Sequence, residues 1–509
     1  MGARRIATRR NFLVAGAATA SMLAVPRFAR ADQPPMHPAD AMPMYERVPF
    51  AEGAALIEPE VRSSSGGVLA TTLRLRYTYK DIGGYRLFVR SYEGMIPGPT
   101  LRAQPGDVLR ISLVNDLPPN RTPAPAYPDQ PHLLNTTNLH THGLHVSPSG
   151  TSDNVFRAME PGGTYDIEIA IPRNHPAGTY WYHPHHHGSA DVQIASGLAG
   201  ALIIEGDFRA VPEIAAARER VLVLGEAAFD SVGTIEDLET LFPETSVRFH
   251  TVNGQRAPTI IMRPGEIQRW RLVHAGYQDD INLGLAQHEF RQIARDGIAL
   301  GRLGEPMRSL VIAPGQRYDV LVRAGEPGAY QLRALPHNEG YSVPTGIVAH
   351  LLVAGEPIVM NLPSSLPASP MRTIRDEELT GKRRLTFGAP PGVEQRTHWQ
   401  EFTFPIDGRV FDPNRVDQRI NLGAIEEWTI VNLDSDDHVF HIHVNPFQLT
   451  HVNGAALAEP VWLDTAILEG KGSLTFRSRF VDFTGRYALH CHMMNHEELG
   501  MMQVVEVHA

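Results

Sequence analysis

A ten-residue run that occurs three times limits this chain to a repeat architecture. Gly106-Asp-Val-Leu-Arg-Ile-Ser-Leu-Val-Asn115 is followed by Gly265-Glu-Ile-Gln-Arg-Trp-Arg-Leu-Val-His274 and by Gly423-Ala-Ile-Glu-Glu-Trp-Thr-Ile-Val-Asn432. Each reads as a strand with two different faces, entered through a glycine turn. Pro99-Thr100 and Pro258-Thr259 stand before the first two copies at the same spacing. A later run also recurs, as Gly178-Thr-Tyr-Trp-Tyr-His183-Pro-His185, Gly328-Ala-Tyr-Gln-Leu-Arg333-Ala-Leu335 and Gly485-Arg-Tyr-Ala-Leu-His490-Cys-His492. With 44 Gly and 40 Pro breaking short β-type segments, the chain reads as all-β. The expected fold is three consecutive Greek-key β-sandwich units over residues 45–206, 207–360 and 380–509. A Pro/Ser-rich stretch, 357–370, joins the second and third units. Short helices are expected near 235–242 and 374–379.

The first 31 residues are set apart from the fold. Thr8-Arg9-Arg10-Asn11-Phe12-Leu13 is a twin-arginine pattern, an apolar run covers 14–25, and Ala29-Arg30-Ala31 offers a small-x-small cleavage site. The run is too short to span a bilayer, so export without a stable membrane anchor is expected. The arginines of this leader leave with it, which makes the mature chain more acidic than the formal −10. That balance argues against nucleic acid or an anionic membrane surface as partner. The one cysteine, Cys491, has no partner for a disulfide, so in an exported protein it is either buried and inert or chemically used.

Histidines settle which. His140/His142, His183/His185, His441/His443 and His490/His492 are four His-x-His pairs, and they occupy only the first and third units. Residues i and i+2 of a strand share a face, so each pair offers two imidazoles to one site. The second unit carries Arg333 and Leu335 where the others carry histidine, and so serves as spacer or pocket wall. Eight imidazoles from two units suit a polynuclear metal site at their interface. Cys491 points away from its flanking histidines and can join His496, with Met501 as a weak axial donor and His438 as second imidazole. Two His, one Cys and a distant Met form a blue copper ligand set. His183 and His185 are preferred within the run His183–His187 because they match His490 and His492. His132, His145 and His451 are expected to be ordinary loop or surface residues.

Taken together, His140-Thr-His142-Gly143, His183-Pro-His185, the His438–His443 run and the His490–Met501 run resemble the four motifs of laccase-type multicopper oxidases. The resemblance spans nearly all of the mature chain and implies three cupredoxin-like domains holding four copper ions. It implies that His438, Cys491, His496 and Met501 bind type 1 copper, and that His140 and His441 bind type 2 copper. It assigns His142, His183, His185, His443, His490 and His492 to the type 3 pair. Such an enzyme takes four single electrons from a donor and reduces dioxygen to two waters. Asp153 and Glu497 resemble the family's proton-supplying acids.

The electron donor is less constrained. Electrons are expected to enter by an exposed edge of His438 or His496, which admits phenols, aromatic amines or metal ions. A broad phenol oxidase is the preferred reading, and a cuprous or other metal-ion oxidase the alternative. No methionine-rich insertion is present; Met36, Met42 and Met44 are a loose group, and Met493, Met494 and Met502 are expected to pack the core. Asp434 is a candidate for holding a cation or a phenol hydroxyl, or for a turn. A copper-free envelope protein of the same fold would lack ligands, and a pure electron carrier would not need eight further histidines. A thioether at Met501 predicts a modest oxidant.

Overall fold

The computed structural model describes residues 46–121, 130–230, 233–236, 247–341, 343–389 and 403–509. The leader, Met36, Met42 and Met44, and most of the helix expected at 235–242 lie outside the described residues.

Gly106, Gly265 and Gly423 turn the chain at φ of 94°, 78° and 92°, a region open to glycine and strained for other residues. Each launches a strand: Val108–Asn115, Ile267–His274 and Ala424–Asn432. The equivalent residues Ile111, Trp270 and Trp428 are buried, so the repeat is a repeat of core positions. The described residues form six sheets, and each sandwich takes two of them. The first and third sandwiches pair two five-stranded sheets, and the middle one packs a seven-stranded against a five-stranded sheet. Fold class therefore follows the repeat, with three β-sandwiches in series.

Within each sandwich the strand carrying the later repeat sits at the same place. In the first, Gly178–His183 pairs antiparallel with His140–His142, placing His140 opposite His183. In the third, Gly485–Cys491 pairs antiparallel with His438–Ile442, placing His441 opposite His490. In the middle sandwich the corresponding pair sets Gly284 opposite Arg333 and Leu283 opposite Ala334. The backbone device is thus present three times, and the imidazoles twice.

The sandwiches share an apolar core that includes Leu87 and Val89 from the first, Phe229 and Tyr277 from the second, and Phe440 and Met494 from the third. A buried polar junction adds to it: Arg271 donates to Thr179 Oγ1 (2.8 Å), and that hydroxyl donates to Asp319 Oδ1 (2.6 Å). The helix expected at 374–379 shrinks to one 3-10 turn, Asp376–Glu378. Two helices not anticipated, Ala190–Ala195 and Met494–Glu498, are buried along their whole length. Burial on every side removes the polar face on which helix periodicity is read.

Candidate metal centre

Eight histidines from the outer sandwiches meet at their interface, all at most 3% exposed. Their ring nitrogens gather in three groups, each within 4.8 Å: His140, His142 and His441; His142, His183 and His492; His185, His443 and His490. His140 stacks on His443, and His142 on His441, with ring centroids 3.9 Å apart in both pairs. One ring of each pair comes from each outer sandwich, so neither sandwich completes the site alone.

The outward nitrogens are tied to acceptors, which fixes the tautomers. His140 Nδ1 donates to Asp153 (3.0 Å), His183 Nδ1 to Pro184 O (2.8 Å), and His441 Nδ1 to Asp464 O (2.8 Å). His490 Nδ1 donates to Cys491 O (3.0 Å) and lies 2.9 Å from Glu497 Oε2. Each of these rings therefore turns an Nε2 lone pair inward. The Nε2 atoms of His140, His183 and His441 are buried and meet no protein partner. His185 and His443 Nε2 lie 3.1 Å apart, and His490 Nε2 is 3.1 and 3.3 Å from them. Burial pulls His185 down to about 3 and takes His142, His183, His441, His443 and His492 well below the usual imidazole range. Neutral imidazoles with converging lone pairs repel one another unless a cation lies between them, so these donors fit metal ions.

The fourth group is His438, Cys491 and His496. Cys491 Sγ lies 3.8 Å from His438 Nδ1 and 3.7 Å from His496 Nδ1, and accepts from Val439 N–H (3.4 Å). Burial pushes the Cys491 thiol up to about 12, so a thiolate there requires a cation on the sulfur. Met501 is fully buried; its carbonyl accepts from Cys491 N–H (3.0 Å), and its N–H donates to His496 O (2.9 Å). Thiolate, two imidazoles and a thioether nearby are soft donors that fit copper.

Every histidine and cysteine proposed from sequence as a ligand falls in one of these four groups. His186 and His187 stay outside them, as do His132, His145 and His451. His145 instead bridges Val444 O and Asp482, at 2.8 Å each. Asp153 and Glu497 are both buried behind ligand rings, Asp153 at His140 and Glu497 between His185 (3.5 Å) and His490. Burial would raise Glu497, but the His185 and His490 imidazoles outweigh it and hold the carboxyl at about 2. Met493, Met494 and Met502 pack in the core.

One expectation changes. His438 and His496 present no exposed edge; they are 0% and 3% exposed, and Phe404 stacks on His496 with centroids 4.0 Å apart. Asp434 sits in the turn that was one of its two readings: its N–H donates to Asn432 Oδ1 (2.8 Å), and its Oδ2 accepts from His438 Nε2 (3.1 Å). Sequence reasoning also missed a further cluster, Asp280, His337 and Glu339, whose ligand atoms lie within 4.8 Å. Both Asp280 carboxylate oxygens are buried without a hydrogen-bond partner, and Asp280 N–H donates to Glu339 Oε1 (2.5 Å). Burial, then Asp280 and Asp279 beside it, pushes Glu339 up to about 10, so a cation binding there would displace a proton. Asp437 N–H donates to Glu339 O (2.7 Å), which joins this cluster to the residue preceding His438. No motif signals these three residues: they meet where strand Ile281–Leu285 begins beside the end of its partner Gly328–Leu335, all within the middle sandwich.

Sequence models described as multicopper oxidase match residues 130–208, 219–357 and 385–509. Among curated relatives, a multicopper oxidase of Staphylococcus aureus is 25% identical over 82% of this chain and 83% of its own length. A laccase of Bacillus stratosphericus is 25% identical over 85% of this chain and 95% of its own. Cell division protein FtsP of Escherichia coli is also 25% identical, over 86% and 88%. The solved multicopper oxidase of Campylobacter jejuni, titled a metallo-oxidase, superposes with a TM-score of 0.75 at 25% identity, covering 90% of this chain and 96% of that one. Among the described residues no helix is long and apolar enough to cross a membrane. The chain belongs to the multicopper oxidase family, copper-binding oxidoreductases that take electrons from a donor and pass them to dioxygen.

Proposed function

We propose that this chain holds four copper ions and couples four one-electron oxidations of a donor to reduction of dioxygen to two waters. The observation that carries this reading is the convergence of neutral imidazole nitrogens in three groups beside a separate Cys491 group. His438, Cys491 and His496, with Met501 as weak axial donor, would hold type 1 copper; His140 and His441 would hold type 2. His142, His183 and His492 would hold one type 3 ion, and His185, His443 and His490 the other. Bound there, copper supplies the one-electron steps and the reducing site for dioxygen.

The chain's own residues do the rest. Cys491 is bonded through the backbone to His490 and His492, so an electron at its sulfur has a short covalent path to both type 3 ligands. Asp153 and Glu497 orient His140, His185 and His490 and are proposed to carry protons toward the cluster. A copper-free role is disfavoured, because it leaves the inward Nε2 atoms of His140, His183 and His441 buried without partners.

For the donor, a metal ion is the reading the geometry supports best. The type 1 imidazoles are covered, which hinders contact with a ring-shaped donor, while Asp280, His337 and Glu339 offer hard and borderline ligands close to the His438 loop. Phenols and aromatic amines are the second reading, favoured by likeness to a protein named laccase. Dioxygen uptake with Cu(I), Fe(II) and Mn(II), compared with a phenol and aromatic-amine panel, separates them. We expect metal ions to be the better donors and Asp280→Asn to slow them selectively. Turnover confined to the organic panel would overturn the metal-ion reading, and no uptake with any donor would overturn the oxidase reading. We further propose export by the twin-arginine route, on the strength of the leader at 1–31; cell fractionation tests it, and cytoplasmic retention would contradict it.

A further inference from the structure

The middle sandwich contributes none of the ligand histidines, yet its turn between Ser309–Ile312 and Arg317–Arg323 reaches the polynuclear site. Gln316 Nε2 donates to Thr465 O (3.1 Å), and a Cβ on Gly315 would stand 2.9 Å from the His492 ring. Arg317, fully buried, leads from this turn. Its Nη1 donates to Asp464 Oδ1 (2.7 Å) and its Nη2 to Asp464 Oδ2 (2.6 Å), a bidentate pair. Its Nε donates to Thr179 O (3.2 Å) and its Nη1 also to Gly315 O (3.1 Å). One guanidinium is therefore bonded to all three sandwiches.

Asp464 stands directly behind two ligand rings, one from each outer sandwich. Its carbonyl accepts from His441 Nδ1, and its Oδ1 lies 3.2 Å from His142 Nε2. Thr465 Oγ1, which donates to Asp464 Oδ1 (2.7 Å), is 3.1 Å from both of those ring nitrogens. Asp296 Oδ2 accepts from the backbone N–H of Asp464 and of Thr465, at 3.3 Å each, and its Oδ1 accepts from Arg317 N–H (3.0 Å). His142 has special need of such a brace. Unlike His140, His183 and His441, it turns Nδ1 inward, 3.1 Å from His492 Nε2, so its Nε2–H must be held outward by an acceptor. Gly143 follows it at φ 87°, and a Cβ there would lie 2.2 Å from Arg317 Nη2 and 2.6 Å from Asp464 Oδ2.

We infer that Arg317 and Asp464 are positioning residues of the trinuclear site, through which the ligand-free middle sandwich sets the orientation of His142 and His441. A buried ion pair contributes little stability over an apolar pair of equal volume, so its orienting role accounts better for its presence. The inference rests on the copper reading above. Residues behind metal-bound imidazoles typically tune affinity or activity by about 10–100-fold.

The test compares copper-loaded full-length wild type with Arg317→Lys, Arg317→Met and Asp464→Asn, by metal content and electron paramagnetic resonance. Arg271→Met, another buried arginine of the middle sandwich that does not touch a ligand histidine, is the control for a merely structural loss. We expect the Arg317 and Asp464 variants to keep the blue type 1 absorption and signal. Their type 2 signal should be altered, and they should lose trinuclear copper to a competing chelator about tenfold more readily. Arg271→Met should lower thermal stability and leave the type 2 signal as in wild type. If Arg317→Met does not fold, Arg317→Lys and Asp464→Asn carry the comparison. Unchanged type 2 signals and copper retention in those two would overturn the inference, as would an Arg271→Met signal altered in the same way. A wild type lacking trinuclear copper would instead overturn the copper reading itself.

Discussion

Asp153 stands directly behind a ligand ring. Both its oxygens lie within 3.1 Å of His140 Nδ1, and Oδ1 also accepts from Thr141 N–H (3.2 Å). An asparagine keeps an acceptor for the ring but cannot exchange a proton with it. Asp153→Asn should therefore slow dioxygen turnover by about 10–100-fold while the blue absorption stays, since Cys491 is untouched. Unchanged turnover would remove Asp153 from the mechanism. Resemblance to the family's acids suggested it near the cluster, but its place behind a particular ring nitrogen depends on the loop that returns from His142 to Asp153. Asp464 was beyond reach of the sequence altogether. It is separated from His142 by 322 residues and carries no motif, and only domain docking brings them together.

At the scale of elements, strand periodicity explains why so much of the site was readable. A His-x-His pair in a strand puts both rings on one face, and pairing His140 with His183 and His441 with His490 then fixes how two such strands combine. The repeat supplied the same register twice, with the middle copy as a blank. Helices were the weak point. Met494–Glu498 carries His496 and Glu497 toward two different centres, but five buried residues have no amphipathic stripe to detect. Closure over the type 1 group was also illegible. It arises from Phe404 stacking on His496, and an aromatic residue in a loop gives no sign of what it will cover.

For the whole molecule, packing three sandwiches together buries acids as well as histidines, and stability should depend on pH accordingly. Glu226, in strand Arg218–Phe229, is raised to about 8 by burial and then by Asp279; its oxygens accept from Asp279 N–H (3.0 Å) and Gln278 N–H (3.2 Å). The folded-state value lies above the unfolded one, so the folded chain binds the extra proton. This contribution is complete below the ordinary carboxyl range and is lost as pH rises through about 8. Thermal stability should fall between about pH 5 and pH 9 as this residue ionises in the folded chain. Glu226→Gln keeps an acceptor and removes the titration, so its melting temperature should fall less over the same interval. Parallel curves for the two proteins would show that Glu226 does not titrate in this window.

Assembly of the polynuclear site from both outer sandwiches, with a separate Cys491 site beside it, is the claim on which the rest depends. Copper per chain in the full-length protein, measured together with its optical and paramagnetic signatures, tests it most directly. Four ions are expected, with one blue type 1 site, one type 2 site and a coupled pair that is silent in paramagnetic resonance. One ion or none, in protein that is folded and supplied with copper, would contradict the account.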